Sequence, residues 1–330
     1  MVSEVSYSRN VFLPVTNVCR NKCAYCGFRR DKGDGDWLMS QEDVITLAKR
    51  GKEKGCSEAL ITLGERPEVY PEVLEKLEGF GYSSTVDYLV DICKQILELG
   101  LLPHTNAGLL DEAELKRLRR YNASMGLMLE CATPLPAHEE SPGKDPELRL
   151  RMLEAAGKLK IPFTTGILVG IGENTEDRVN SLLAIRNLQS RYDHIQEVII
   201  QPLDPKPGTP LENKPKPSKK ELVATIVMAK ELIPATNIQV PPNLVDDVGD
   251  FIRAGANDLG GVSAVTPDFI NPDCPWPSVS ELRKAIEATG AVPRERLPIY
   301  PRYVKDDQFM SREVKRIVNK VSDEQGYRAA

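Results

Sequence analysis

The chain has 330 residues, 41% apolar and 28% charged, which is enough to bury a large core as one (β/α) barrel or two smaller domains. Its 43 basic and 48 acidic residues give a net charge of −5. An acidic chain has no overall field that attracts nucleic acid or an anionic membrane, so neither is an expected partner. The start, MVSEVSYSRNVFLPV, lacks a basic region followed by a long apolar run, and no stretch approaches about 18 apolar residues. We therefore expect a soluble, cytoplasmic protein.

Short runs rich in β-branched and apolar residues alternate with longer segments of helical period. The predicted strands are 11–16, 59–63, 101–106, 124–130, 163–169, 197–201, 237–240 and 257–262. The predicted helices are 41–54, 84–98, 111–120, 146–160, 175–190, 219–232, 244–253 and 279–288. Such alternation requires parallel strands with crossover helices, and eight units favour a closed (β/α)8 TIM-type barrel. We expect one domain spanning residues 1–330.

Most of the predicted helices begin at a recognisable capping signal. These signals are Ser40 with Asp43, Ser84 with Asp87, Asp111 with Glu114, Ser218 with Glu221, and Ser278 with Glu281. Helix 84–98 also carries a single apolar stripe, formed by Val86, Leu89, Val90, Cys93, Ile96 and Leu97. A stripe of this period predicts that one face of the helix packs against the barrel.

Three long connections, 64–83, 131–145 and 202–217, interrupt this rhythm, and each follows a predicted strand. Loops after strands form the face of a (β/α) barrel on which active sites are built. The extra length there predicts a lid or substrate wall, with a solvated surface loop as the alternative for the proline-rich segment 202–217.

Three of the seven cysteines, Cys19, Cys23 and Cys26, lie in the stretch TNVCRNKCAYCGF directly after the first predicted strand. Structural zinc needs four ligands, but the other cysteines are scattered, and they are Cys56, Cys93, Cys131 and Cys274. A Cys23–Cys26 redox dithiol would leave Cys19 unexplained. A four-iron cluster held by three thiolates would leave one iron open to a small molecule. That third interpretation explains the spacing best.

The run Cys19-x-x-x-Cys23-x-Tyr25-Cys26 resembles the signature of radical S-adenosylmethionine (SAM) enzymes. The resemblance implies one [4Fe-4S] cluster on the loop after strand 1, held by the three cysteines and by SAM. It also implies that a 5′-deoxyadenosyl radical takes a hydrogen atom from the substrate. Tyr25 would pack beside the adenine, and a core aromatic is the alternative.

Further elements of that superfamily have counterparts after later strands. Gly64-Glu65 resembles the Gly-Gly-Glu element that holds the SAM amino group, with Leu63 in place of the first glycine. Glu130 ends an apolar run and is a candidate for the SAM ammonium or ribose, or for a salt bridge. The segment beginning at Gly166 resembles the element beside the adenine, with Leu168 for isoleucine; its candidates are Gly166, Gly170 and Glu173. Glu173 could instead begin the next helix.

Three long segments resemble the deazaflavin (FO) synthase subunit of the CofG type. They are SRNVFLPVTNVCRNKCAYCGF, ITLGERPEVYPE and GANDLGGVSAVTPDFINPDCPWP. The resemblance implies a radical SAM lyase that closes the deazaflavin ring of a hydroxybenzyl–ribityl–dihydrouracil adduct with loss of ammonia, in coenzyme F-420 biosynthesis. It also implies a sister CofH-type subunit and a reductant such as ferredoxin or flavodoxin as partners. Alternatives are the sister hydroxybenzyl transferase, a menaquinone-pathway or biotin-synthase-like enzyme, or a zinc-binding protein without catalysis.

Ring closure with loss of ammonia requires proton transfer, for which His104 and Asn106 after strand three are candidates. The segment around strand eight is rich in donors and acceptors that could bind a uracil edge and a ribityl chain, and Asp258 is its catalytic candidate. Two adjacent glycines, Gly260 and Gly261, predict a close approach of ligand to backbone. Cys93 is predicted to be core, and no role is predicted for Cys131 and Cys274.

Overall fold

A computed structural model describes residues 3–30 and 38–329. Its strands are β1 (Glu4–Thr16), β2 (Glu58–Leu63), β3 (Leu102–Asn106), β4 (Ser124–Gly126), β5 (Phe163–Val169), β6 (Ile195–Pro202), β7 (Asn237–Gln239), β8 (Asp258–Val262) and β9 (Val292–Arg296). Strands β1 to β8 pair in parallel in chain order, and β1 contacts both β2 and β8, which closes the sheet. The predicted (β/α)8 barrel is therefore confirmed.

The helices in the described ranges lie mainly between successive strands. They are α1 (Gln41–Glu53), α2 (Pro71–Gly79), α3 (Thr85–Glu98), α4 (Glu112–Arg119), α5 (Pro146–Lys158), α6 (Thr175–Tyr192), α7 (Lys219–Leu232), α8 (Val248–Ala254), α9 (Val279–Glu287), α10 (Pro301–Val304) and α11 (Arg312–Val321). Each predicted capping residue accepts a hydrogen bond from the backbone N–H three positions on; these are Ser40, Ser84, Asp111, Ser218 and Ser278. The capping predictions are therefore confirmed.

Several element boundaries differ from the sequence predictions. β1 begins at Glu4, because its first residues pair with β9, a strand of mixed charge and proline that apolar periodicity does not reveal. Strand β4 ends at Gly126, α8 begins only at Val248, and connection 64–83 contains α2. Each of these elements is short or polar, so the tertiary context determines its bounds.

Residues 292–329 close the amino-terminal end of the barrel. β9 pairs with Glu4–Ser8 of β1, and α11 packs against α3 and β3. The chain between β9 and α10 crosses beneath the strands, where the Pro298 carbonyl accepts hydrogen bonds from Ser124 Oγ (2.7 Å) and Gln196 Nε2 (2.9 Å). This segment forms a floor under the barrel interior.

The main apolar core lies between the strands and the surrounding helices. The stripe of α3 is part of it, with Leu89, Cys93 and Ile96 fully buried. The prediction that this face packs on the barrel, with Cys93 as core, is therefore confirmed. In residues 3–30 and 38–329, none of the helices combines the length and the apolar character that crossing a membrane requires.

Candidate active site

The interior of the barrel holds a cavity of about 380 Å³ that begins at the carboxyl ends of the strands. The cysteine loop, residues 17–30, lies at its mouth. Inward-facing side chains on the strands form the deeper walls, and the residues lining that part include Asn10, Glu58, His104, Asn106, Thr164, Glu197, Gln239 and Arg296. TIM barrels usually fill this volume with apolar side chains. A polar, open interior therefore indicates a binding site inside the barrel.

The cysteine loop brings Cys19, Cys23 and Cys26 together at the mouth of the cavity, and all three are free thiols. Burial raises the pKa of Cys19 and of Cys26, so thiolates there require a positively charged partner. The Glu65 N–H lies 3.2 Å from Cys19 Sγ, and Ser141 Oγ lies 3.4 Å from Cys23 Sγ. Buried thiols with hydrogen-bond donors aimed at sulfur fit iron ligation.

Single-ion coordination is a different geometry from cluster ligation. In the described part of the chain, no three His, Cys, Asp or Glu side chains are arranged to hold one metal ion. A cluster separates its thiolate ligands over several corners, so its ligands need not converge on one point. The arrangement of the cysteine loop is therefore compatible with cluster ligation.

Two of the long loops hold the cysteine loop in place. Backbone hydrogen bonds join Ala24 to Ala137 and Lys22 to Glu140 in the 131–145 connection, at 3.0 and 3.1 Å. Leu211 N in the 202–217 connection donates to Ala24 O at 3.0 Å. Lys144 of the 131–145 connection lines the cavity, whereas no residue of 202–217 does, so the second connection supports the cysteine loop from outside and its role as a substrate wall stays a prediction.

Gly64 and Glu65 fix the cysteine loop to the end of β2. A Cβ on Gly64 would lie 2.0 Å from Val18 O, so only glycine allows the two segments to pass this closely. The Glu65 carboxylate accepts hydrogen bonds from Arg20 Nε and Leu109 N, both at 2.9 Å. Burial alone would raise the pKa of Glu65, but the Leu109 N–H and nearby guanidinium groups outweigh it and lower the pKa. Both residues line the cavity.

Glu130 lies on the opposite wall in a left-handed backbone conformation, with φ of 65°. Its carboxylate forms an ion pair with Lys144, which also lines the cavity. Burial opposes ionisation, but the charges of Lys144 and Arg149 prevail and lower the pKa of Glu130. The predicted salt bridge is therefore present, and Glu130 also lines the cavity, while its role towards the SAM ammonium or ribose stays a prediction. Tyr25 lines the cavity too, and its hydroxyl contacts His138 Nε2 at 3.1 Å.

Residues 166–173 form the glycine-rich element, which begins within β5 and continues into the loop after it. Of these residues only Leu168 lines the cavity. Glu173 accepts hydrogen bonds from Gly170 N and Ile171 N, both at 2.8 Å, and from Arg178 Nε at 2.9 Å. Gly166 lies within β5, where a Cβ would come 2.3 Å from Ile199 O. Glu173 thus shapes the loop, and a role of Gly166, Gly170 or Glu173 towards SAM stays a prediction.

His104 and Asn106 lie on β3 and line the cavity. Ser124 Oγ donates to Pro298 O, so it accepts from His104 Nδ1, 2.6 Å away. Burial lowers the pKa of His104 to about 4, so at neutral pH its Nε2 carries no proton. Nε2 lies 3.3 Å from Asn106 Oδ1, and exchanging the amide oxygen and nitrogen lets Asn106 donate to it. The geometry makes His104 a proton acceptor.

Asp258 is the first residue of β8 and is fully buried near the floor, away from the loop after that strand. It accepts hydrogen bonds from Arg296 Nε (2.7 Å) and Nη2 (3.0 Å). Arg296 Nη2 also donates to Glu197 Oε2 at 3.2 Å. Asp258 does not line the cavity, but Arg296 and Glu197 do. The contacts of Asp258 therefore indicate that it positions Arg296, and a catalytic role for Asp258 stays a prediction.

Sequence reasoning missed the polar floor: Asn10, Glu58, Glu197, Gln239 and Arg296. Charged residues inside otherwise apolar strands, as in SEALITL and QEVIIQP, are the signal that could have identified two of them. Arg296 gives no such signal, because it enters the barrel on the unpredicted β9. In the loop after β8, Asp268 and Asn271 line the cavity and bond to each other at 2.9 Å.

Glu197 gives the floor a measurable pH dependence. Burial raises its pKa to about 8, from 4.5 in an unfolded chain, with Arg296 opposing the shift. The folded protein thus keeps a proton that the unfolded chain releases, so the contribution of Glu197 to stability falls as pH rises from about 5 to 8, by at most about 1.4 kcal/mol per pH unit. We expect Glu197→Gln to remove this loss in urea unfolding at pH 5, 6, 7 and 8.

The control for that experiment is Glu313→Gln, which removes a carboxylate from an exposed ion pair with Arg120. It should keep the pH profile of the unchanged protein between pH 5 and 8, because burial contributes little there. Parallel profiles for Glu197→Gln and the unchanged protein would contradict the prediction.

The fold and the three-cysteine loop define a class of enzyme. Residues 13–185 match the family model described as the Radical SAM superfamily, which covers more than half of the chain. The FeFe-hydrogenase maturase HydG from Carboxydothermus hydrogenoformans has a similar fold, with a TM-score of 0.68 at 18% identity, over 98% of this chain and 76% of that one. Members of the superfamily use an iron–sulfur cluster and SAM.

Comparison with individual relatives identifies the family within this superfamily. The chain is 49% identical to 7,8-didemethyl-8-hydroxy-5-deazariboflavin synthase of Methanopyrus kandleri, over 98% of this chain and 99% of the relative. It is 51% identical to the protein of that name from Archaeoglobus fulgidus, over 98% of each. The chain belongs to the 7,8-didemethyl-8-hydroxy-5-deazariboflavin synthase family of the radical SAM superfamily.

Proposed function

We propose that the protein is a radical SAM lyase that forms the deazaflavin FO from 5-amino-5-(4-hydroxybenzyl)-6-(D-ribitylimino)-5,6-dihydrouracil. Ammonia, 5′-deoxyadenosine and methionine are the other products. The observation that carries the proposal is a three-cysteine loop over a polar barrel cavity, in a chain about half identical over nearly its full length to FO synthases. A cavity of about 380 Å³ is within the usual range of small-molecule sites, about 300–1,000 Å³.

Cys19, Cys23 and Cys26 would hold a [4Fe-4S] cluster, and Glu65, Glu130 and Tyr25 surround the space beside it. When bound, the cluster and SAM supply a 5′-deoxyadenosyl radical, which removes a hydrogen atom from the substrate. The chain itself contributes enclosure and charge. Lys144 and Arg149 keep Glu130 ionised in the buried wall, so its carboxylate can accept hydrogen bonds from an ammonium or hydroxyl group.

Proton transfer in ring closure can use groups on the floor. His104 is neutral at pH 7, and its unprotonated Nε2 faces the Asn106 amide, so it can accept a proton when it exchanges that hydrogen bond. Glu197 is protonated over the same pH range and can donate one. A raised acid and a lowered base in one cavity form a pair suited to acid–base chemistry at neutral pH. A CofH-type subunit would supply the adduct, and a ferredoxin or flavodoxin would supply electrons.

The direct test is product formation. Full-length protein reconstituted with iron and sulfide under anaerobic conditions should convert the adduct, SAM and a reductant into a fluorescent deazaflavin, identified by mass spectrometry. Ammonia and 5′-deoxyadenosine should appear with it. Reactions without the adduct are the control and should give no deazaflavin. SAM cleavage without deazaflavin, in the presence of the adduct, would reject the proposed substrate but not the radical SAM class.

A further inference from the structure

The Asn10 side chain on β1 is the most unusual polar group of the cavity. The residue is only 1% exposed and lines the cavity, yet neither Nδ2 nor Oδ1 has a hydrogen-bond partner. Buried amides are almost always bonded, because an unmet donor or acceptor loses its hydration without compensation. A buried amide with both groups unpaired, on a residue that lines a cavity, indicates a group that a ligand can bond.

The two glycines of β8 keep this amide in position. A Cβ on Gly261 would lie 2.1 Å from Asn10 Nδ2, so any larger residue would displace the side chain. A Cβ on Gly260 would likewise lie 2.3 Å from Gln239 Nε2, on β7. Strand β8 lies between β1 and β7. The glycine pair therefore makes room for a carboxamide on each side, and Gln239 also lines the cavity.

Charge restricts the chemistry of the ligand at this depth. Asn10 is paired in register with Glu58, and Glu197 also lines the floor. The positive charge of Arg296 is already balanced by its bonds to Asp258 and Glu197. A phosphate or carboxylate ligand would therefore meet no unpaired positive charge among the floor residues Asn10, Glu58, Glu197, Gln239 and Arg296. A neutral group with donors and acceptors side by side fits.

We propose that Asn10 binds the imide edge, –CO–NH–CO–, of the substrate's pyrimidine ring, an inference that rests on the proposed function. Asn10 Oδ1 accepts the ring N3–H, and Nδ2 donates to one flanking carbonyl. A carboxamide matches this edge because its donor and acceptor are adjacent and coplanar. The imide edge then lies towards the floor, and the ring carbons that react face the cysteine loop.

The test measures binding to the reconstituted full-length protein, without reductant, by anaerobic calorimetry. The probes are 6-(D-ribitylamino)uracil and its N3-methyl derivative, which lacks the N3–H that donates to Asn10 Oδ1 in the proposal. The unchanged protein should bind the methylated probe at least about tenfold more weakly, because a site built to bond an N–H is left unpaired. Asn10→Leu should bind the unmethylated probe at least about tenfold more weakly and distinguish the two by less than about twofold.

Two further variants make the result decisive. Asn10→Asp keeps the shape and the acceptor for N3–H but loses the donor to the flanking carbonyl, so it should bind both probes at least about tenfold more weakly and keep the ratio between them; it tests the same edge through affinity if Asn10→Leu does not fold. Gln201→Leu removes another carboxamide of the cavity and should keep the full ratio between the probes. Failure of the unchanged protein to bind the unmethylated probe, equal binding of the two probes, unchanged discrimination in Asn10→Leu, or unchanged affinity in Asn10→Asp would overturn the inference.

The product assay separates this inference from the proposed function. If deazaflavin forms but Asn10→Leu discriminates normally, the subsite is wrong and the function stands. If no deazaflavin forms but discrimination depends on Asn10, the subsite stands and the reaction must be another one on a pyrimidine.

Discussion

Cys19→Ala should reduce reductive SAM cleavage to background, and so should the corresponding changes at Cys23 and Cys26. The three thiols lie on one loop at the mouth of the cavity, and each would bind a separate iron. The fold should survive, because none of the three belongs to the apolar core clusters. We expect the cluster-free variants to unfold within about 1 kcal/mol of the unchanged protein.

The measurements are 5′-deoxyadenosine by chromatography, iron per chain, and urea unfolding of the cluster-free protein. Cys274→Ala is the matched control, because Cys274 is also a partly exposed loop thiol but does not line the cavity. It should retain iron binding and SAM cleavage. Cleavage at the unchanged rate in a Cys19, Cys23 or Cys26 variant would show that the cluster is held elsewhere.

The barrel could be predicted because its elements are local. Strands such as β2 and β5 are short runs rich in apolar and β-branched residues, and the helices between them carry caps three residues apart, so a short window of sequence contains each signal. β9 could not be found this way. Its sequence, VPRER, has a proline and three charges, and it forms because the start of β1 offers an unpaired edge.

The candidate site likewise has a part that local sequence motifs predict and a part that they do not. The cysteine loop and Gly64-Glu65 are compact motifs after strands, so the sequence located them at the mouth of the cavity. The floor depends on contacts between distant parts of the chain: Arg296 meets Asp258 and Glu197 across 38 and 99 positions. The periodicity of apolar residues along the sequence does not indicate which distant residues form such pairs. For this reason the sequence predicts a catalytic role for Asp258 but not its position near the floor, outside the cavity lining.

Arg296 is the residue whose loss should destabilise the fold most. It is 4% exposed, bonds Asp258 and Glu197, and has its guanidinium 4.3 Å from the centre of the Tyr300 ring. Arg296→Met would keep much of the volume but leave Asp258 buried without a counter-charge. Breaking a buried pair from one side typically costs about 3–5 kcal/mol, so we expect a loss of that size in urea unfolding at pH 7.

Three further variants show whether the loss of charge pairing causes the destabilisation. Arg294→Met removes an arginine two positions earlier on β9, whose ion pair with Glu4 is partly exposed, and should cost less than about 1 kcal/mol. Arg296→Lys should recover only part of the loss, because an ammonium cannot bond Asp258 through two coplanar nitrogens. Adding Asp258→Asn to Arg296→Met should restore stability, since it removes the unpaired charge. If the double variant were instead less stable than Arg296→Met, packing and not the buried carboxylate would be what Arg296 provides.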